Sequence, residues 1–407
     1  MKGPRRTQMQ KRILGLLFTV LFLVMIGFSI LFPVEPAYIQ LFGATSATMG
    51  WLTASYSLAQ FVFSPLWGRL SDRIGRKPVM LVGLAGYGVS MTLFALGQSI
   101  PHLFMARTLA GVLSSATLPT AMAVIADTTT EDERAKGMGL LGAAFGLGAI
   151  FGPFVGGVLG DVSLRLPFFA TGLLSVATMG LVWRLLPESL PPEKRGGVRE
   201  NVSRLKAFQP DTTWLYVIAF LAAFSLAGLE TAFPFLAYDR LGATTRSVGY
   251  IFAVMGITGS IVQGGLIGPI RKLIGEARMI PAGLLVSAAA LALIAVSKTA
   301  VAATAALALF AAGHGLIRPA NASLVTQRTK VGQGLAIGVY DSMDALGRVL
   351  GPVVGGTLYV YRDSLPFSSG ASVNVAACLL FVALALPRLR AAAREDANAR
   401  TGAEDRN

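Results

Sequence analysis

Apolar windows of about twenty residues recur from one end of this 407-residue chain to the other. Each is long enough, at roughly 1.5 Å of rise per helical residue, to cross a hydrocarbon core of about 30 Å. The windows predict spans at 12–34, 47–68, 78–98, 102–125, 137–160, 167–186, 212–236, 247–268, 279–297, 300–325, 334–360 and 368–388. Composition agrees: 54% of residues are hydrophobic and 14% charged, whereas a soluble domain is nearer a quarter charged. The expected class is an all-α membrane protein of twelve transmembrane helices. ILGLLFTVLFLVMIGFSILF, behind the basic MKGPRRTQMQKR, is of spanning length and no small-residue cleavage site follows it, so it is expected to stay as the first helix.

The basic residues decide orientation. Lys2, Arg5, Arg6, Lys11 and Arg12 precede span 1; Arg69, Arg73, Arg76 and Lys77 follow span 2; Lys194, Arg195, Arg199, Arg204 and Lys206 follow span 6. Arg271, Lys272 and Arg278 follow span 8, Arg328 and Lys330 span 10, and Arg388, Arg390 and Arg394 span 12, while the alternate loops hold few. The positive-inside rule then places both termini in the cytoplasm. The net charge of +14 is thus a matter of topology, and no nucleic-acid partner is expected. The single cysteine rules out an internal disulfide and argues against a thiolate metal site.

Residues 187–211, PESLPPEKRGGVRENVSRLKAFQPD, form the long polar stretch between spans. It divides the chain into a six-helix bundle at 1–190, a cytoplasmic linker at 191–211 and a second six-helix bundle at 212–389, with a disordered tail expected at 390–407. The halves repeat. FGATSATMGW at 42–51 matches LGATTRSVGY at 241–250, GAIFGPFVGG at 148–157 matches GRVLGPVVGG at 347–356, and PFF at 167–169 falls opposite PFS at 366–368, always 199 residues apart. Parallel repeats related by an axis along the membrane normal are the pattern of secondary transporters, whose cargo cavity lies between the halves.

Three segments carry a family resemblance. GRLSDRIGRK, through Gly68, Leu70, Asp72, Arg73, Gly75, Arg76 and Lys77, resembles the signature loop of the major facilitator superfamily. Arg107 and Gly111 in ARTLAG resemble its second signature, with Ala110 where a polar residue is usual, and Gly148, Gly152, Pro153, Gly156 and Gly157 its third, which is associated with proton-coupled antiporters of the tetracycline and multidrug efflux branch. The resemblance implies a major facilitator fold, alternating access, a proton gradient in place of any cofactor, and a role in proton coupling for Arg107. In the signature loop Asp72 is expected to pair with arginines as a cytoplasmic latch that opening toward the cytoplasm breaks. GGLIGPIRKLIGEAR in the second half lacks the aspartate, so its latch is expected to be weaker. Pro153, and Gly351 with Pro352 in the second half, mark helices shaped for close contact.

Ionised groups within spans are costly and so are candidate functional residues. Glu35 lies at the outer end of span 1 between Pro33 and Pro36, and Glu230 lies inside span 7. His314, Arg318 and Asn321 share two turns of span 10; Asp341, Asp344 and Arg348 share a face of span 11. Glu35, Arg107, Glu230 and Asp341 are the expected proton-coupling set. Asp344 and Arg348 are spaced to pair. With His314, Arg318, Asn321, Asp344 and Arg348, the rings of Phe145, Phe233 and Tyr340 are the expected cavity lining. No GxxxxGK[ST], HExxH or GxSxG segment occurs, so neither ATP-driven transport nor an enzyme is expected. The expected function is proton-coupled export of small amphipathic or cationic compounds by a monomer in a bacterial inner membrane, in contact with lipids and protons. Alternatives are a specific cargo such as a lipid, sugar or siderophore, symport or uniport, and a non-transporting membrane sensor.

Overall fold

The computed structural model describes residues 4–129, 131–196 and 204–389. Most of the linker's centre and the tail at 390–407 lie outside the described residues. The described chain is helical throughout: α1 Pro4–Ser29, α2 Glu35–Gln40, α3 Ser46–Ile74, α4 Arg76–Ala95, α5 Ile100–Ser114, α6 Thr117–Thr128, α7 Glu131–Val162 and α8 Leu166–Leu185 precede the linker. α9 Thr213–Asp239, α10 Thr245–Ile261, α11 Ile267–Ile274, α12 Glu276–Val296, α13 Ala300–Arg328, α14 Gln333–Tyr361 and α15 Leu365–Leu380 follow it. Ten helical runs among the described residues are long and apolar enough to cross a membrane. The 29-residue α3 and α14 are not among them, because Ser, Thr, Tyr and Gln dilute the first and Asp341, Asp344 and Arg348 the second.

Prolines explain where long helices break. Pro33, Pro119 and Pro269 each lack the N–H that would bond the carbonyl four residues back. Those carbonyls belong to Ser29, where α1 ends, to Ser115, in the break between α5 and α6, and to Gly265, inside the π-helical turn Val262–Leu266 that joins α10 to α11. The fourth predicted span is therefore two helices. At its break the Val112 carbonyl accepts from Trp67 Nε1 at 2.6 Å and from Ser115 Oγ at 2.7 Å.

The two ends of the helix array differ. The end that holds the 68–77 loop, the linker and Arg388 is called the basic end; the opposite one is the far end. At the far end a single buried cluster draws on both sides of the linker, with Ile30, Tyr38, Phe94 and Phe168 from one side and Phe233, Phe252, Phe310 and Phe367 from the other. At the basic end the core splits into two clusters, one around Leu17, Leu21, Met80 and Val124, the other around Tyr216, Leu284, Leu324 and Phe381.

Glycines make the far-end contact. A Cβ on Gly249 of α10 would overlap the Pro153 carbonyl of α7, and one on Gly50 of α3 would overlap the Pro352 carbonyl of α14. Likewise Gly157 backs onto the Thr245 carbonyl and Gly356 onto that of Ser46. Ser46 Oγ donates to the Gly356 carbonyl at 2.8 Å and Thr245 Oγ1 to that of Gly157 at 3.4 Å. Every pair in one crossing is the other shifted by the repeat offset. The remaining glycines of each motif pack inside their own side of the chain: Gly148 and Gly152 against the end of α1, Gly156 against Ile30 just beyond it, and Gly347, Gly351 and Gly355 against α9.

Along α7 and α10 the approach continues through Ala149 and Gly256 to Gly146 and Ser260. Beyond it Gly139, Gly142, Gly264, Gly265 and Gly268 meet open space, as do Gly68 on α3 and Gly338 on α14. The array is a wedge, joined at the far end and parted at the basic end.

Candidate functional site

The break after Ser29 returns Glu35 to the interior. Expected at an outer helix end, it is 1% exposed, and its Oε2 accepts a charged contact from Arg107 Nη2 at 3.1 Å, with the arginine side chain 4% exposed. The guanidinium carbon lies 4.8 Å from the centre of the Tyr56 ring, a cation–π arrangement. Tyr56 Oη and Ser114 Oγ are 3.1 Å apart, and Gln60 Nε2 donates to Tyr56 Oη at 3.5 Å. Only one edge of the pair is satisfied: Glu35 Oε1 and Arg107 Nε and Nη1 are buried without a hydrogen-bond partner. Tyr56, Gln60 and Ser114 were not singled out in the sequence; the i, i+4 spacing of the first two on α3 was the available signal.

A second cluster lies across the linker. Arg348 Nε donates to Asp344 Oδ2 at 2.9 Å, the expected i, i+4 pair. Half-buried Glu230 has Arg348 and Asp344 as its charge neighbours. His314 stacks on Phe310 with centroids 5.5 Å apart and completes the group. Arg318 and Asp341 are exposed. The two clusters carry Glu35 with Arg107 on one side of the wedge and Glu230, Asp344 and Arg348 on the other.

Three residues expected to line a cavity are packed instead. Asn321, fully buried, donates from Nδ2 to the Leu215 carbonyl at 2.8 Å and ties α13 to α9. Phe233 is fully buried with its ring edge-on to Phe252. Tyr340, 3% exposed, donates to the Arg318 carbonyl at 3.4 Å. Phe145 is half-buried.

The signature loop forms a network at the basic end. Arg76 reaches Asp72 and Ser71 through Nη1 and Asp127 through Nε. Gly75, at φ 112°, turns the chain sharply between α3 and α4. Beyond it Glu188 accepts the first amides of α4, Arg76 N–H at 2.9 Å and Lys77 N–H at 3.2 Å. Ser189 Oγ donates to Asp127, and Gly196 N–H to the Asp72 carbonyl. Arg73 is exposed. The pairing of Asp72 with an arginine is as expected, but the charges belong to α3, α4, α6 and, with Glu188, the start of the linker, and among the described residues they bridge to no helix of the other side. The network is intact with the basic end parted, so parting does not break it.

The second half has a counterpart that the sequence reading missed. Glu276 stands 200 residues after Arg76 with the sign reversed. It contacts Arg271 at 3.1 Å, accepts from Ser323 at 3.1 Å, and accepts from Gln327, the counterpart of Asp127, at 2.8 Å. The expectation of a weaker latch rested on the missing aspartate; an acid at the arginine's place supplies the charge instead.

Among the described residues no group of His, Cys, Asp and Glu is arranged to hold a metal ion. A helical array that spans the membrane many times, interlocked by repeated glycine motifs, with one ion pair buried before the linker and a half-buried one after it, is the build of a secondary transporter. The sequence profile described as Major Facilitator Superfamily matches residues 17–333 and 264–404, and the chain belongs to that family. It is accordingly a multi-span membrane transport protein and not an enzyme. Among its relatives, Multidrug resistance protein 1 of Bacillus subtilis is 30% identical over 357 residues, covering 87% of this chain and 91% of that one. The class E tetracycline resistance protein of Escherichia coli is 32% identical over 350 residues, covering 84% and 86%. Two solved structures share the fold. The bacterial homologue of the human lysosomal transporter Spinster, inward-facing and unoccupied, gives a TM-score of 0.75 at 16% identity, covering 95% of this chain and 96% of that one. The human organic anion transporter MFSD10 gives 0.68 at 23%, covering 93% and 100%.

Proposed function

We propose that this protein is a proton-coupled antiporter exporting small amphipathic or cationic compounds from a bacterial cytoplasm by alternating access. The observation that carries the reading is the buried Glu35–Arg107 pair, satisfied along one edge only. A proton on Glu35 removes the charge that holds Arg107, and a buried arginine that loses its partner must find another. Such a site stores a proton and couples its arrival to rearrangement. The names of the relatives support efflux of drugs or tetracycline-like compounds.

In this reading α3 and α14 join the ten apolar runs to make twelve spans in two six-helix halves. The basic end faces the cytoplasm, so the wedge is open inward. The glycine crossings are the seal that must part for outward opening. Glu35 and Arg107 carry the proton, while Glu230, Asp344 and Arg348 with exposed Asp341 meet the cargo. A zwitterionic cargo is the second reading, favoured by exposed Arg318 beside the exposed acid Asp341.

The test is purified protein in proteoliposomes with an internal pH dye, challenged with lipophilic cations, neutral drugs and zwitterions under an imposed pH gradient. Antiport predicts proton movement evoked by cations. A response to zwitterions alone selects the second reading, and none across the panel contradicts both.

A further inference from the structure

The chain break that returns Glu35 to the interior rests on the other side of the molecule. Between α1 and α2 the Phe32 amide donates to the Ser29 carbonyl at 3.2 Å and the Glu35 amide to the Leu31 carbonyl at 2.8 Å. The carbonyl of buried Pro33 is left over, since no backbone amide of the described residues reaches it. Its donor is Tyr238 Oη, from α9 across the linker. One residue earlier, the Phe32 ring lies with its centre 5.9 Å from that of Phe252 on α10. One residue later, fully buried Val34 fills the space over Gly160 of α7, where Thr245 of α10 also packs.

The internal repeat sets this contact apart from the general joint. The run into the repeated GAT reads AYIQLFGAT at 37–45 and AYDRLGAT at 237–244, one residue shorter. Tyr38 in the first run donates to the Phe94 and Ala95 carbonyls at 3.1 and 3.0 Å and stays on its own side of the linker. Tyr238 in the second crosses. The residues of α9 that answer to Pro33–Glu35 are Ala232, Phe233 and Pro234, which lie inside an unbroken helix and carry no acid. The crossing tyrosine therefore meets the one segment of the pair that holds a carboxylate.

We infer that Tyr238 is a positioning residue for the proton site: while the far end is joined it holds the Pro33 carbonyl, and with it Glu35, against Arg107, and when the far end parts it withdraws and lets the segment move. The inference rests on the reading of Glu35 as the acid that carries the proton. A buried carbonyl that loses its donor is destabilised until water or another donor reaches it. A segment with two arrangements, each favoured by one state of the far end, couples that end to whatever the segment carries, and the coupling is reciprocal. The charged and titratable neighbours of Glu35 are Arg107 on α5, Tyr56 on α3 and Tyr87 on α4. Those of the far end around Tyr238 are Asp161 with Arg246, Asp239 with Tyr359, and Asp363 with Arg240.

The experiment follows the rate at which a maleimide labels Ala47→Cys, at the far-end start of α3, in the purified full-length protein at uniform pH between about 5 and 8. Each protein is compared with the same protein carrying Glu35→Gln, so the ratio of rates cancels the chemistry of the thiol and the titration of the far-end acids. In the wild type this ratio is expected to change at least about fivefold across the range, and in Tyr238→Phe by about twofold or less. Phe32→Leu removes the segment's ring contact with α10; it should flatten the ratio too, and it keeps the test intact if the first variant misfolds. Arg246→Gln is the control. It breaks an ion pair with Asp161 at 3.1 Å that also joins the two sides but touches none of residues 30–35, so it should raise labelling at every pH and leave the change in ratio as in the wild type. A ratio that varies as much in Tyr238→Phe and Phe32→Leu as in the wild type would overturn the inference and leave the role of Glu35 standing. Equal flattening by Arg246→Gln would make Tyr238 one contact of the seal among others and overturn it as well. A flat ratio in the wild type would overturn the reading of Glu35 itself, and the inference with it.

Discussion

Glu35 on α2 and Arg107 on α5 meet at 3.1 Å with both side chains almost wholly withdrawn from solvent. Two charges so placed are held by each other and by the Tyr56 ring. Removing one leaves an uncompensated charge, which costs about 3–5 kcal/mol, whereas removing both costs much less. Arg107→Gln is therefore expected to lower the thermal stability of the purified protein substantially, and Glu35→Gln added to it to restore much of the loss. Equal instability of the single and double variants would contradict the pairing.

The two glycine crossings make a paired prediction. Gly50→Val and Gly249→Val each drive a side chain into a proline carbonyl, at positions the repeat makes equivalent. Overpacking of this kind costs about 1–3 kcal/mol, which at about 1.4 kcal/mol per decade is about fivefold to a hundredfold in the population of the joined far end. Cysteines introduced at Ala47 and Val360 should label faster from outside the cell in both variants, and by similar factors. Unchanged labelling in either would show that the crossing does not seal.

Asn321 is a tie between helices. Asn321→Ala should cost about 1–3 kcal/mol, since the buried hydrogen bond from Asn321 to the Leu215 carbonyl is lost and the space the amide filled is left empty. Cargo preference should not change. Resistance profiles normalised to protein level test this, and an altered spectrum at normal stability would return Asn321 to the cargo site.

Outside the spans, Arg240 donates to Asp363, and that hydrogen bond holds the Asp363 carboxyl below its ordinary range. A depressed carboxyl contributes stability that is present above the unfolded-state value and is lost as pH falls through the folded one. The stability difference between wild type and Asp363→Asn should thus stay constant from pH 7 to 5 and shrink only below about pH 4. Melting curves across that range decide it; a difference already lost at pH 5 would contradict the clasp.

Much of this architecture is legible in the sequence because it is written twice. The offset that aligns FGATSATMGW with LGATTRSVGY also carries Gly50 onto Gly249 and Pro153 onto Pro352, so that each crossing is the image of the other, and GRLSDRIGRK shows the Asp72–Arg76 contact on its face. Other features are hidden for physical reasons. Glu35 looks like a helix end until the break at Ser29 folds it inward toward a helix far along the chain. Glu276 replaces Arg76 with the opposite sign, so a comparison by residue identity passes over it. Asn321 and Phe233 lie on helices apolar on nearly every side, where a period of 3.6 does not tell a cavity face from a packed one.

The most direct test of coupling uses purified wild type and Glu35→Gln in weakly buffered detergent, with a pH indicator, on addition of a cationic cargo identified from the proteoliposome panel. The account predicts that cargo releases protons from the wild type and that Glu35→Gln, folded and still binding cargo, releases none. Undiminished release from Glu35→Gln would contradict it.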